Sequence, residues 1–328
     1  LTQTLSNAVD LVPARPDRLV TRAGAIVASH AMVDVYAAFV GPLLLVLQVR
    51  CNLTAVQTAS LMGVGSISSG VSQPIAAWLS DRWDTRAAGA FGLVVGAVCL
   101  SSIGLATDFT SLMALYVAGN IGVGMFHPTG AASMGHLAGS RRSLGVSLFH
   151  VAGMIGGITG SIFVTRIVAL DGGFNLLRWA MVPGLLCALW LHFAIRHAPH
   201  RHHAHRELTF GRKEIAQRWR MVALLFLVNA TRFTVNMALA YLLLRWVERV
   251  MTLENPTWSA KAVADAGAPI NGNLNALMLA GMAVGGVSAS WIIKPGREKW
   301  PMVLLPLVFA PIIVLYPFAG IKVGYLMA

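Results

Sequence analysis

The sequence predicts an all-α polytopic membrane protein, a bundle of about nine transmembrane helices. Three observations predict it. Of 328 residues, 56% are hydrophobic and only 12% charged, roughly half the charged share of a soluble domain, and the mean hydropathy is +0.67. Apolar runs of about 20 residues recur, the length a helix needs to cross a hydrocarbon core near 30 Å. No series of alternating ten-residue segments marks a β-barrel, and open sheets leave backbone groups unsatisfied in lipid.

The elements follow in order. Residues 1–22 are polar and lack an apolar core, so they are no signal peptide; they read as a cytoplasmic segment. Six spans follow quickly: residues 23–49, with His30 and Asp34; 58–79; 87–106; 109–133, with His127 and Pro128; 143–170, with His150 and Arg166; and 174–196. Residues 23–196 thus form a six-helix unit. Residues 197–220 form a basic linker with His197, His200, His202, His203 and His205. A histidine-rich tract can bind metal, but a solvated linker is the plainer reading, and no metal or cofactor is assigned. Three further spans follow, at 221–244, 274–293 and 302–326, making residues 221–328 an incomplete second unit; a second set of six would need three more. Between spans seven and eight, Pro256, Trp258, Pro269 and Gly272 predict a partly structured loop over 248–273. Cys51, Cys99 and Cys187 are far apart and show neither a disulfide framework nor metal-type spacing.

The formal net charge of +12 raises the question of nucleic acid, and its distribution answers against it. Arg15, Arg18 and Arg22, then Arg82 and Arg86, Arg141 and Arg142, the basic residues from Arg196 to Arg220, and Lys294, Arg297 and Lys299 all fall on one side of the predicted spans. The other side holds Arg50, Arg178, Arg245, Arg249, Lys261 and Lys322. This is the positive-inside asymmetry, which places the N-terminus in the cytoplasm.

A polar thread runs through the apolar spans. Ionisable groups there are expensive and mark transport routes or proton relays. Of the 13 acidic residues, only Asp34 falls deep inside a predicted span. His30 lies four residues earlier, hence on the same helix face. The pair reads as a proton carrier, or as a hydrogen bond that only locks span one to its neighbours. His127 precedes Pro128, which removes a backbone donor and can kink the helix; the imidazole then either faces substrate or proton, or is satisfied structurally. In span seven, Asn229, Arg232 and Asn236 share a face. They could bind an anionic substrate such as a phosphonate, or Arg232 could be the counter-ion of Asp34. Gly153 and Gly157, Gly156 and Gly160, and Gly281 and Gly285 each sit four apart, a spacing that lets helices approach closely. No nucleophile–base pair, HExxH or phosphate loop is present, so an enzyme is not expected.

Residues 77–86, Ala-Trp-Leu-Ser-Asp-Arg-Trp-Asp-Thr-Arg, resemble the G-x-L-x-D-R-x-G-R-R loop of the major facilitator superfamily, matching at Asp81, Arg82 and Arg86. More specifically, His30 with Asp34, Ser72-Gln73-Pro74, Phe126-His127-Pro128 and Ser147-Leu148-Phe149-His150-Val151-Ala152-Gly153 resemble the fosmidomycin resistance protein family of drug exporters. Thr129 stands where that family usually carries an acidic residue. The resemblance implies twelve helices in two halves, a central cavity lined by spans one, four, seven and ten, and spans five and eight packed between the halves. It implies a gate at the Asp81-Arg82-Arg86 loop and residence in a bacterial inner membrane. The expected function is secondary-active transport by alternating access, as proton-coupled drug or organic-anion efflux. His30, Asp34 and His127 would couple protons; Arg232, Asn229, Asn236 and His127 would bind substrate. Expected partners are a small-molecule substrate, protons and the lipid bilayer, with a monomer as the assembly. Two alternatives stand beside this: an organic-anion importer or exchanger, and a transport-incompetent scaffold or sensor on the same fold.

Overall fold

The computed structural model describes residues 16–82, 86–196, 211–292 and 299–322, and every regular element among them is helical. Predicted span one is two helices, α1 (Pro16–Ala37) and α2 (Val40–Arg50). The break has a local cause. Pro42 has no N–H for the carbonyl four residues back, and its ring crowds that carbonyl. α1 therefore closes at Ala38, whose N–H donates to Asp34 O at 3.1 Å. After α2 the chain turns at Asn52, with φ +49°, a left-handed conformation that asparagine tolerates.

α3 (Ala55–Arg82) carries span two. Thr54 and Gln57 start it with a reciprocal cap: Gln57 N–H donates to Thr54 Oγ1 at 3.2 Å and Thr54 N–H to Gln57 Oε1 at 2.9 Å, satisfying donors that a helix start leaves orphaned. α4 (Arg86–Ser101) and α5 (Phe109–Leu137) carry spans three and four. α5 opens on Asp108, whose Oδ1 accepts from Ser111 N–H at 2.9 Å while Ser111 Oγ accepts from Asp108 N–H at 3.4 Å. α6 (Arg142–Val168) is span five; α7 (Gly173–Leu177) and α8 (Met181–Ile195) make span six. α9 (Arg212–Glu254), α10 (Ala260–Ile292) and α11 (Lys299–Leu315) hold spans seven to nine.

Two expectations change. Six helical stretches among the described residues are long and apolar enough to cross a membrane, and α3 is not one of them. Ser66, Ser68, Ser69, Ser72 and Gln73 dilute its apolar content, yet its 28 residues are long enough. The loop expected over 248–273 is mostly helix, because α9 continues to Glu254 and α10 begins at Ala260. Pro269 sits inside α10 without ending it.

α1 is the hub, packing against α5, α6 and α8. Tyr36 and Phe39 are fully buried there, and Tyr36 donates its hydroxyl to Ala180 O at 2.7 Å. Lipid offers no hydrophobic drive for helix pairing, so close backbone approach at small residues supplies much of the packing. A Cβ on Gly156 would lie 2.8 Å from the Ala31 carbonyl carbon, and one on Gly160 2.7 Å from Val35 Cα. Gly156 and Gly160 thus serve α1, whereas Gly157 faces span eight, where a Cβ would stand 3.0 Å from Leu279 Cδ1 of α10. Among the described residues, nothing lies within 4 Å of where a Cβ would stand on Gly281 or Gly285. α6 and α10 pack together, as expected for spans five and eight, and beyond Gly157 the contact continues: Asn275 donates to Ser161 Oγ at 2.7 Å, and Gly272 lies against Ser161 and Thr165.

This packing is one-sided. Leu244, Trp246, Val247 and Met251 of α9, and Val263, Ala264, Ala268, Asn271 and Leu274 of α10, are buried near the Asn52 end of the bundle. Towards the Gly139 end, Met221 to Val228 of α9 and Met282 and Val284 of α10 are exposed. The first six spans and the following helices meet at the Asn52 end and part towards the Gly139 end.

Candidate functional site

The meeting of α1, α5 and α6 builds a polar centre inside the apolar bundle. Asp34 Oδ2 lies 3.4 Å from His30 Nε2, and Asp34 Oδ1 lies 3.2 Å from His127 Nε2. One carboxylate thus faces two imidazoles through its two oxygens. One helical turn brings His30 and Asp34 together, as their spacing predicts. His127 comes from α5, so its arrival is a tertiary event.

The imidazoles are held from behind. His30 Nδ1 lies 2.6 Å from Phe149 O on α6, and His127 Nδ1 lies 2.8 Å from Val123 O one turn back in α5. The His30 ring stacks on Phe149 at 3.6 Å between centroids and 9° between planes, with Phe126 at 5.9 Å. Gly153 closes the site: a Cβ there would stand 2.6 Å from His30 Cε1 and would also press on Asp34 Oδ2. His30 is 3% exposed, whereas Asp34 and His127 are 24% and 27% exposed. The carboxylate and one imidazole are reachable; the other imidazole is sealed in.

The donor atoms of His30, Asp34 and His127 lie within 4.8 Å of one another. By distance, such a group can share protons or hold a small cation. His150 sits nearby on α6, 6.4 Å from the His30 ring and exposed.

Pro128 does not interrupt α5, which runs from Phe109 to Leu137. Thr129 turns its hydroxyl back onto Met125 O at 3.1 Å and Phe126 O at 2.8 Å, which helps bridge the turn around the proline. Thr129 therefore acts within its own helix. Asn236 is half-buried on α9. The side chains of Asn229, Arg232, Asp81, Arg82 and Arg86 lie outside the described residues, as do residues 197–210 of the histidine-rich linker. Phe149, quoted in sequence only within a family-like stretch, is the residue of this centre that sequence reasoning gave no role. Its position four before Gly153, which puts both on one face of α6, is the signal that could have found it.

Long apolar helices around a partly exposed carboxylate and two imidazoles define a polytopic integral membrane protein with a polar centre. The chain belongs to the Major Facilitator Superfamily, which it matches over residues 26–328. It is 22% identical over 165 residues to the uncharacterized MFS-type transporter YfnC of Bacillus subtilis (strain 168), and 24% identical over 168 residues to the fosmidomycin resistance protein of Escherichia coli (strain K12). Those stretches cover 50% and 51% of this chain but only 40% and 41% of the relatives' lengths. Among solved structures, a bacterial homolog of the human lysosomal transporter Spinster, in an inward-facing and unoccupied conformation, aligns with TM-score 0.63 and 15% identity, covering 96% of this chain and 72% of that one. A D-xylose–proton symporter aligns with TM-score 0.54 and 12% identity, covering 95% and 77%. At these identities the likeness is one of fold.

Proposed function

We propose that the chain carries out secondary-active transport of a small molecule by alternating access, driven by protons that bind at Asp34. The observation that carries this reading is the placement of Asp34. It is held between His30 and His127 and partly exposed, in a bundle whose helices part towards one end. A carboxylate at a span centre is disfavoured by about 2.5–3.5 kcal/mol. A group kept there at that cost, reachable and paired with two bases, is suited to loading and releasing protons.

By the positive-inside rule the Gly139 end faces the cytoplasm, so this conformation is open inwards. The likeness to an inward-facing member of the fold agrees. The Asp81-Arg82-Arg86 motif joins α3 to α4 and would latch that end when the halves close. Asn229, Arg232 and Asn236 on α9 would face substrate across the opening, with Arg232 favouring an anionic group. The relative named for fosmidomycin resistance points to export of drug-like or organic anions across a bacterial inner membrane.

The test is proton movement in vesicles containing the purified protein when phosphonates or cationic drugs are added. Substrate-induced proton flux supports the reading. Substrate flux without proton movement contradicts the coupling, and folded protein that moves none of the panel contradicts the substrate class.

A further inference from the structure

Both imidazoles of the cluster have Nδ1 against a backbone carbonyl, His30 at Phe149 O and His127 at Val123 O. A carbonyl oxygen only accepts, so each Nδ1 carries the hydrogen. In a neutral imidazole the other nitrogen is then a bare lone pair. Both Nε2 atoms point at Asp34, at 3.4 and 3.2 Å and on different carboxylate oxygens. A lone pair facing a carboxylate is repulsive, and each gap becomes attractive only with a proton in it. Two such gaps make two proton slots on one carboxylate.

The slots differ in access. His127 and Asp34 are about a quarter exposed, while His30 is 3% exposed. His30 Nε2 is buried with no hydrogen-bond partner among the described residues, and the Phe149 ring covers one face of the imidazole. On the reading that Asp34 is the coupling carboxylate, we propose that His30, Asp34 and His127 form a two-proton store. It loads at the His127 edge and passes its first proton across Asp34 to His30, with Phe149 as the positioning residue for His30. A proton from water adds to His127 Nε2 or Asp34 Oδ1, moves to the carboxylate, and transfers to His30 Nε2; a second proton then fills the emptied His127 edge. Only N–H and O–H bonds form and break. The cluster charge runs from −1 empty, through 0, to +1 loaded. The titratable groups facing it are His30 and Asp34 themselves on α1, His127 on α5 and His150 on α6.

The measurement is nitrogen NMR of the full chain, labelled with ¹⁵N-histidine in lipid nanodiscs, from about pH 5 to 8, where histidine titrates. The expected result is a neutral form of both His30 and His127 with hydrogen on Nδ1 and Nε2 bare, the minority tautomer of free histidine. In Asp34→Asn the amide donates to His30 Nε2 and supplies no proton, so His30 stays neutral throughout. Phe149→Leu keeps the carbonyl but removes the stacked ring, and its His30 signal splits between tautomers. An Nε2–H tautomer at either histidine in the wild type would overturn the store, as would an unchanged His30 titration in Asp34→Asn. Failure of the transport reading shows separately, as absent substrate-driven proton flux in vesicles whatever the tautomers.

Discussion

At the scale of the residue, Gly153 shows how tightly the centre is built. A methyl group there would stand 2.6 Å from the His30 ring and press on Asp34, closer than any real carbon contact. Gly153→Val is expected to push the carboxylate off His30 and abolish substrate-induced proton flux, with helix content unchanged by circular dichroism. Retention of full flux would show that the His30 contact is dispensable. The sequence made half of this centre legible. His30 and Asp34 share a face by spacing alone, and Asp34 stood out as the acidic residue deep in an apolar run. What spacing cannot carry is the meeting of α1 with α5 and α6. That His127 approaches the second carboxylate oxygen, and that Phe149 backs His30 with its ring and carbonyl, depend on tertiary packing with no local signature.

At the scale of the element, polar caps and prolines decide where helices begin and break. Span one reads as one apolar run, yet Pro42 splits it; α5 runs on through Pro128. Thr129 bonds the Met125 and Phe126 carbonyls in the turn before Pro128. Asp108 caps α5, and its carboxyl is held below the ordinary aspartate value of 3.8 by the Ser111 backbone N–H, then by the Ser111 hydroxyl. A depressed carboxyl contributes stability above its unfolded value and loses it as pH falls through the folded one. Asp108→Ala is therefore expected to lower the melting temperature by a constant small amount at neutral pH, and the gap should shrink only below about pH 4. A gap that widened with acid would contradict the capping account. Six apolar helical stretches were legible because hydrophobic runs need only be counted. The helical stretch after residue 260 was not, because Pro269 and Gly272 read locally as a loop.

At the scale of the whole molecule, two sets of helices close against each other at one end and separate at the other. Positive-inside charge and span count indicated the layout, and the resemblance indicated that spans five and eight meet. The contact itself was legible in part: Gly157, one of the spaced glycines, lies against Leu279 of α10, while Gly272, Asn275 and Ser161 had not stood out. A Cβ on Gly272 would lie 2.6 Å from Thr165 Oγ1 and 2.7 Å from Ser161 O. Overpacking of this kind costs about 1–3 kcal/mol, which shifts a two-state equilibrium by about 5- to 150-fold. Gly272→Leu is expected to part α6 from α10 at the Asn52 end. Spin labels placed on the two helices beside that contact should report a longer distance than in the wild type; an unchanged distance would mean that the closure does not depend on this approach.

The central claim is that protons bound at Asp34 drive movement of a small molecule. The most direct test is accumulation of a transported substrate against its gradient in vesicles under an imposed pH difference, wild type against Asp34→Asn, with substrate exchange at equal pH as the control. The account predicts that the variant keeps exchange and loses accumulation. Equal accumulation in both would contradict it and remove Asp34 from the coupling.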